Sequence, residues 1–357
     1  MPFTYVFTAR NLKGKGKGAH FVAEPGEVRF LKVPAVFKGK KLVAGYGPEH
    51  EIDQDQWFEE VADLADGLRD VKLDRPGHVV VFVHGYNNDI PLVHSRTVQL
   101  QLDLEAEDFH GLAVAFDWPS DDSTLNYLED RWDAADVALK LVSAGIEPLA
   151  VRQRAGCDIN VHLLGHSTGA YVIMDAFTNA QKSKKLFKSD WRVAQVAFIG
   201  GDVSRDSLAR DSDWAGPLFG RLMRLTNYSN GFDNVLAVSN AKRLGVSPRA
   251  GRVGLPNPAH GKSGNVDCTP FFEKLDPKKQ PAFGTFCHGW HIGNRVWTRD
   301  FAMTLEGRID RCAIPTRRFE PSRGLILQDG KRPANEAAWL EVRADAVKAP
   351  KSIQTWK

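Results

Sequence analysis

Residues 164–169 read Leu164-Gly165-His166-Ser167-Thr168-Gly169, and the segments on either side make this stretch decisive for the fold. The pattern predicts a buried strand over 159–164 and a helix over 168–181. A serine at a sharp strand-to-helix turn is held in strained backbone geometry, and flanking glycines let neighbouring chain approach closely. The helix N-terminus adds N–H groups and partial positive charge beneath the serine. This context predicts Ser167 as a nucleophile.

Strand and helix patterns alternate outward from that turn. Apolar stripes at helical spacing run through 57–68, 93–104 and 128–146. Short apolar runs typical of buried strands lie at 79–83, 112–116, 159–164, 194–199 and 222–228. Such alternation predicts an α/β fold with a doubly wound, mostly parallel sheet and helices on both faces.

The pattern also divides the chain into three parts. Residues 1–50 are predicted to be an extended N-terminal segment, because runs rich in Val and Phe alternate there with Gly, Lys and Pro. Residues 51–308 hold the α/β domain, in which 246–284 is rich in Pro, Gly and Lys and is predicted to be a long loop. Residues 309–357 form a C-terminal tail of unknown role.

Composition excludes several classes of function. The chain has 47 Lys and Arg against 44 Asp and Glu, a net charge of +3 with both signs interspersed, so nothing indicates nucleic acid as a partner. Every apolar run is far shorter than the ~20 residues that span a bilayer. With no signal-peptide pattern, the chain is expected to be cytoplasmic. The four cysteines are far apart, which predicts free thiols and no zinc ribbon.

A second turn with chemical potential follows the strand predicted at 79–83. It reads His84-Gly85-Tyr86-Asn87-Asn88, at the carboxyl end of that strand. Backbone N–H groups in this position can point at a developing oxyanion, and fixed backbone dipoles do so whatever the side chain. The amides of Tyr86 and Thr168 are therefore predicted to form an oxyanion hole.

Three motifs together resemble the α/β-hydrolase superfamily, and most closely its bacterial branch of serine esterase/lipase-like proteins. They are His84-Gly85-Tyr86-Asn87, Asp117-Trp118-Pro119-Ser120 and Gly165-His166-Ser167-Thr168-Gly169. The resemblance covers roughly residues 75–305 and leaves both ends of the chain uncovered. It implies a hydrolase that uses Ser, then Asp or Glu, then His in chain order, without a cofactor.

The acid and the histidine each have two candidates. Asp202 and Asp233 both follow predicted strands, and Asp233 is preferred because its turn resembles the one where the family places the acid. His288 and His291 lie in one Gly-containing loop, and His288 matches the family's histidine better. His288 and His291 are not expected to bind a metal ion, because no carboxylate is suitably spaced to complete a metal site. His166 is expected to support the site rather than act as its base.

The predicted activity is hydrolysis of small-molecule carboxylic esters through Ser167, Asp233 and His288. Three tryptophans in loops are candidates for a substrate pocket, namely Trp118, Trp214 and Trp290. Acyl transfer or amide hydrolysis by the same triad, and a non-catalytic scaffold with the same fold, are the alternatives. The sequence sets neither the substrate nor the oligomeric state.

Overall fold

The computed structural model describes residues 1–70, 75–120, 131–154, 159–242, 248–280 and 283–348. Its strands, numbered β1 to β13 in chain order, are Phe3–Lys13, His20–Pro34, Phe37–Lys38, Lys41–Leu42, Glu51–Ile52, Gly77–Val83, Gly111–Asp117, Ile159–His166, Val193–Ile199, Leu222–Ser229, Ser263–Asp267, Arg317–Glu320 and Gly324–Leu327. Its α-helices, α1 to α13, are Gln54–Gly67, Ile90–Ala106, Arg131–Leu141, Glu147–Arg154, Thr168–Lys182, Lys184–Lys188, Gly216–Arg221, Asn234–Lys242, Ala250–Val253, Thr269–Phe272, Phe286–Gly289, Arg295–Glu306 and Glu336–Lys348.

Eleven of the described strands form one sheet in the order β12-β13-β11-β10-β9-β8-β6-β7-β1-β2-β5. Pairing is parallel from β13 through to β1, and antiparallel where β12 joins β13 and where β2 joins β1 and β5. The predicted α/β fold with a mostly parallel sheet is therefore confirmed. In a parallel sheet the carboxyl ends of the strands share one edge, so the turns after β6, β8, β9 and β10 come together.

The central strands are buried on both faces. Along β6, Val79, Val81 and Val83 enter one apolar core, whereas Val80 and Phe82 enter another. The first core is closed by α1, α3, α4 and α5, and the second by α2 and α12. Side chains alternate across a strand, so a continuous apolar run is what a strand between two helical layers requires.

The helix predicted over 128–146 extends further at its C-terminal end than predicted. Positions 128–130 lie outside the described residues, and the helical path continues beyond 146 through α4. A π-helical segment, Val142–Ile146, joins α3 to α4. Pro148 lacks the N–H that would donate a helical hydrogen bond to the preceding turn. The ring of Phe7 occupies the space beside Gly145. Both features accompany the local widening of the helix.

Both ends of the chain extend the main sheet. The long strands β1 and β2 pair antiparallel, and β1 adds to β7 in parallel, which agrees with the extended character predicted for residues 1–50. The region 246–284, predicted to be a loop, contains β11 and two short helices. β11 contains a single bulky apolar residue, Val266, and so lacks a buried-strand pattern. The tail contributes β12, β13 and α13.

Candidate active site

Ser167 occupies a strained turn between β8 and α5. Its backbone has φ +55° and ψ −124°, a combination that a non-glycine residue adopts only when its surroundings impose it. The surroundings here come from the end of β9. The Ser167 N–H donates to the carbonyl of Ile199 at 3.0 Å, and the Ser167 carbonyl accepts from the N–H of Asp202 at 2.9 Å. Two backbone bonds from the neighbouring strand end thus hold the serine in place.

Glycines allow the two predicted turns to touch. A Cβ on Gly169 would lie 2.1 Å from the carbonyl oxygen of Val83, so only glycine permits α5 to start this close to β6. A Cβ on Gly85 would lie 2.7 Å from the Cβ of Ser167. The turn 84–88, which contains Tyr86, therefore lies directly against the serine, and Thr168 is the first residue of α5.

His288 and Asp233 form a buried pair between a short helix and the turn after β10. His288 lies in α11, Asp233 follows β10, and the His288 Nδ1 is 2.7 Å from the Asp233 Oδ2. Because the ionised carboxylate only accepts, Nδ1 of neutral His288 carries the proton and Nε2 holds a lone pair. That Nε2 is buried and has no hydrogen-bond partner among the described residues. The ring is therefore oriented to accept a proton at Nε2.

The pair lies beside the serine turn. Gly200, at φ +52°, directly follows Ile199, and a Cβ there would be 3.0 Å from the His288 Nδ1 and 3.3 Å from the Asp233 Oδ2. The ring of His166 has its centroid 4.8 Å from that of His288, and its Nε2 is 3.3 Å from the His288 carbonyl oxygen. His288 thus packs against residues adjoining Ser167, and His166 is a buried supporting group whose pKa burial lowers well below the usual histidine value.

The alternative acid and base have different surroundings. The Asp202 carboxylate lies 3.1 Å from Nε of Arg249 and accepts from the Ser239 hydroxyl at 3.0 Å. His291 is 1% exposed, and neither ring nitrogen has a partner in the part of the chain that is described. Its ring stacks on Trp290 with centroids 4.3 Å apart, and burial holds its pKa well below the usual value. The carboxylate in contact with a candidate base is that of Asp233.

The three tryptophans proposed for a pocket have different environments. Trp118 is 1% exposed, stacks on His84 and donates its indole N–H to the His84 carbonyl at 2.8 Å. Trp290 is also 1% exposed. Trp214 is half-buried, with its ring centroid 5.3 Å from that of Tyr171 on the first turn of α5. Burial of Trp118 and Trp290 differs from the expectation that all three face a substrate.

Two cavities are found among the described residues, and they differ in their distance from the turn 84–88 along the chain. One of about 540 Å³ adjoins the turn 84–88 and is lined by Asn87, Asp89, Pro91, Leu92 and Ser95. Another of about 630 Å³ lies between α5, α6 and α7, over Phe177 and Trp191, and its lining includes none of the candidate site residues. Of these two cavities, the one lined by Asn87 shares a residue with the turn 84–88.

Two buried arginines were not identified from the sequence, and Asp117 entered only as part of a motif. Arg10 of β1 donates through Nε to the Asp117 carboxylate at 2.8 Å, and this charge holds the pKa of Asp117 well below its usual value although burial opposes it. Arg96 of α2 donates to the carbonyl of Phe283 at 2.6 Å, and burial lowers its pKa to about 10. Arg96 adjoins the apolar stripe of α2, a placement that could have indicated a buried cation.

The described ranges show neither a metal-binding cluster nor a membrane-spanning helix. There, no group of three or more His, Cys, Asp or Glu side chains is arranged to hold a metal ion. Nor does any helix within those ranges have the length and apolar character needed to cross a bilayer. Cys268, Cys287 and Cys312 are free thiols, and Cys157 lies outside the described residues.

The mostly parallel sheet with helices on both faces is the fold of an α/β hydrolase. Residues 60–262 match the family described as "Alpha/beta hydrolase of unknown function (DUF900)", and the chain belongs to that family. No curated protein matches the chain.

Two solved structures show a distant likeness. A cutinase-like protein from Cryptococcus sp. is 18% identical, with 65% of this chain and 96% of that chain covered and a TM-score of 0.32. A dienelactone hydrolase from Anabaena variabilis ATCC 29413 is 15% identical, with 64% and 84% covered and a TM-score of 0.32.

Proposed function

We propose that the protein is a serine hydrolase that cleaves small-molecule carboxylic esters, with Ser167 as nucleophile, His288 as general base and Asp233 as the orienting acid. One observation carries the proposal. The His288 ring is bonded to a carboxylate at Nδ1, and its Nε2 is buried and unbonded beside a strained serine turn. The carboxylate at Nδ1 distinguishes His288 from His291, whose two ring nitrogens are buried and unbonded among the described residues.

The chemistry follows from the protonation state of that ring. His288 takes the Ser167 hydroxyl proton at Nε2 while the serine oxygen attacks the ester carbonyl. Asp233 keeps the productive tautomer and stabilises the imidazolium that forms. When the tetrahedral intermediate collapses, His288 returns the proton to the leaving alkoxide, which departs as the alcohol. A water molecule then repeats the sequence on the acyl-enzyme and releases the acid.

Charge on the former carbonyl oxygen needs fixed donors. The amide of Thr168 is one of the N–H groups that a helix leaves without an internal partner, and the amide of Tyr86 belongs to the turn against Ser167. Donors of this kind need no reorganisation as the charge develops, which makes them effective in the transition state.

The experiment is covalent labelling combined with turnover. Purified wild type and Ser167→Ala are treated with a fluorophosphonate probe and assayed with short p-nitrophenyl esters. Wild type should be labelled at Ser167 and turn over esters, and Ser167→Ala should lose labelling and several orders of magnitude in turnover with little change in melting temperature. Turnover within about tenfold of wild type in Ser167→Ala contradicts the mechanism.

The same assay separates the alternatives. Labelling without release of product to water favours transfer of the acyl group to another acceptor. Absence of both labelling and turnover in wild type contradicts the proposed hydrolase and favours a scaffold.

A further inference from the structure

The side chain of Asn88 closes the turn that contains Tyr86. Its Nδ2 donates to the carbonyl oxygens of Gly85 and Tyr86, at 2.9 and 2.7 Å. Asn88 is 5% exposed, so solvent does not compete for these bonds. One amide group therefore ties two consecutive peptide carbonyls to the same side of the turn.

This restraint fixes the direction of the Tyr86 N–H. The Gly85 carbonyl and the Tyr86 N–H belong to one planar trans peptide, in which the two groups point in opposite directions. The Gly85 oxygen also lies 2.9 Å from the Nδ1 of His84, so two side chains hold that carbonyl. With the carbonyl held, the Tyr86 N–H points away from the Asn88 side chain. It belongs to the turn whose Gly85 lies against Ser167.

Two buried arginines in turn hold Asn88. Arg10 donates through Nη2 to the Asn88 backbone carbonyl at 2.8 Å, and Arg96 donates through Nη1 to the Asn88 Oδ1 at 2.7 Å. A guanidinium only donates, so it directs the amide oxygen towards itself and leaves Nδ2 for the two carbonyls. Arg10 comes from β1 and Arg96 from α2, so both supports come from outside the turn.

From this arrangement we infer that Asn88 is a positioning residue that preorganises the oxyanion hole, with Arg10 and Arg96 fixing its orientation. The inference rests on the proposed function, because it concerns the Tyr86 amide as a donor to the oxyanion. Its consequence is specific. Loss of Asn88 should weaken binding of the transition state and leave binding of the ground-state ester almost unchanged.

The test is Asn88→Asp. A carboxylate keeps an acceptor for Arg96, but its second oxygen faces the carbonyls of Gly85 and Tyr86, so the turn must open. We expect kcat on p-nitrophenyl acetate to fall roughly 10²–10³-fold, the range for loss of an oxyanion-hole donor, with KM changed less than about threefold. Affinity for an arylboronic acid, which forms a tetrahedral adduct with serine, should fall in parallel with kcat.

Gln101→Glu is the matched control. Gln101 is likewise a buried amide that donates to a backbone carbonyl, that of Gly111 at 3.2 Å, and accepts a backbone N–H, that of Ala113 at 2.7 Å. These contacts lie at the start of β7, the opposite edge of the sheet from the site. Gln101→Glu should have a lower melting temperature than wild type. Its kcat and its affinity for the boronic acid should stay within about threefold of wild type.

Arg10→Lys is a second test, because lysine keeps the positive charge opposite Asp117. Its single ammonium cannot bond the Asp117 carboxylate and the Asn88 carbonyl together as the planar guanidinium does. We expect kcat to fall about tenfold with KM unchanged. Arg10→Lys replaces Asn88→Asp as the test if Asn88→Asp does not fold. A folded variant whose kcat stays within about threefold, or whose KM alone rises, overturns the inference. If turnover is lost in Ser167→Ala and kept in Asn88→Asp, the inference alone is wrong; a wild type without labelling or turnover overturns the proposed function and the inference together.

Discussion

The Nδ1 of His288 lies 2.7 Å from the Oδ2 of Asp233, although 55 residues separate the two along the chain. Asp233 closes the turn after β10, and His288 lies in the short helix α11. Gly200 has no side chain and packs against both groups, so the residue after β9 lies directly against the pair. This contact distinguishes Asp233 from Asp202. The Asp202 carboxylate pairs with Arg249 and accepts a hydrogen bond from the Ser239 hydroxyl.

Asp233→Asn should lower ester turnover by roughly 10⁴, the loss seen when the triad aspartate of a serine protease becomes asparagine, because the amide favours the wrong histidine tautomer. Asp202→Asn should act through stability, because it weakens the contact with Arg249. Turnover and melting temperature measured for both variants separate the two roles. The reverse pattern would assign the acid to the end of β9.

His288 in α11 and His291 just after it should respond differently to substitution. His288→Ala removes the group bonded to Asp233 and should abolish turnover. His291→Ala removes a buried ring between Trp290 and Trp297 and should lower the melting temperature by leaving a cavity, with turnover within about tenfold. The measurement is the rate of ester turnover as a function of pH for each of the two variants. Activity retained in His288→Ala and lost in His291→Ala would show that the base is His291.

Sequence predicted those parts of the fold and site that depend on local pattern. β6 and β7 are continuous apolar runs because both faces are covered, and the serine turn follows from one strand, one helix and two glycines. The pattern failed for β11, in which Val266 is flanked by Asp267 and Asn265. Its pairing partners, β10 and β13, define it as a strand.

The supporting arginines were missed for a related reason. Arg10 contacts Asp117 across 107 residues and the Asn88 carbonyl across 78. No local spacing connects those positions, and an arginine in a predicted strand more often has its charge in solvent. Only the parallel pairing of β1 with β7 brings Arg10 to the edge of the sheet where the site lies.

A buried histidine pair should make the protein sensitive to acid. His162 accepts the Gln195 N–H at Nδ1, so its Nε2 carries the proton and donates to the Nδ1 of His78 at 2.9 Å. Burial lowers the pKa of His78 to about 4. His78 therefore binds a proton near pH 6.5 in the unfolded chain and only near pH 4 in the folded one. The stability that comes from the neutral His78 is complete above pH 6.5 and is lost as the pH falls towards 4.

The loss from His78 should be roughly 3 kcal/mol over that window. Urea unfolding between pH 7.5 and 4.5 measures it, with His78→Asn as the control. Asn keeps an acceptor near the position of Nδ1 and does not titrate, so its stability should depend less steeply on pH even if it is lower throughout. Equal slopes in wild type and His78→Asn would show that this pair does not set the acid response.

A buried ion pair anchors the C-terminal strands to the domain. Arg317 of β12 donates through Nη2 to the Asp300 carboxylate of α12 at 2.7 Å, and the Tyr228 hydroxyl of β10 donates to the same carboxylate at 2.7 Å. Both charged side chains are at most 1% exposed. Removing one partner of such a pair leaves an uncompensated buried charge, which costs about 3–5 kcal/mol.

Asp300→Asn should therefore lower the free energy of unfolding by about 3–5 kcal/mol in urea titrations. The double variant Asp300→Leu with Arg317→Met removes both charges and should recover much of that loss, because an apolar pair of similar volume needs no desolvation of ions. Ester turnover per folded molecule should stay within about threefold in all of these variants, since the pair contacts none of the proposed triad. A double variant less stable than Asp300→Asn would mean that the hydrogen bonds of Tyr228 and Thr316 to the carboxylate contribute more to stability than relief of the buried charge does.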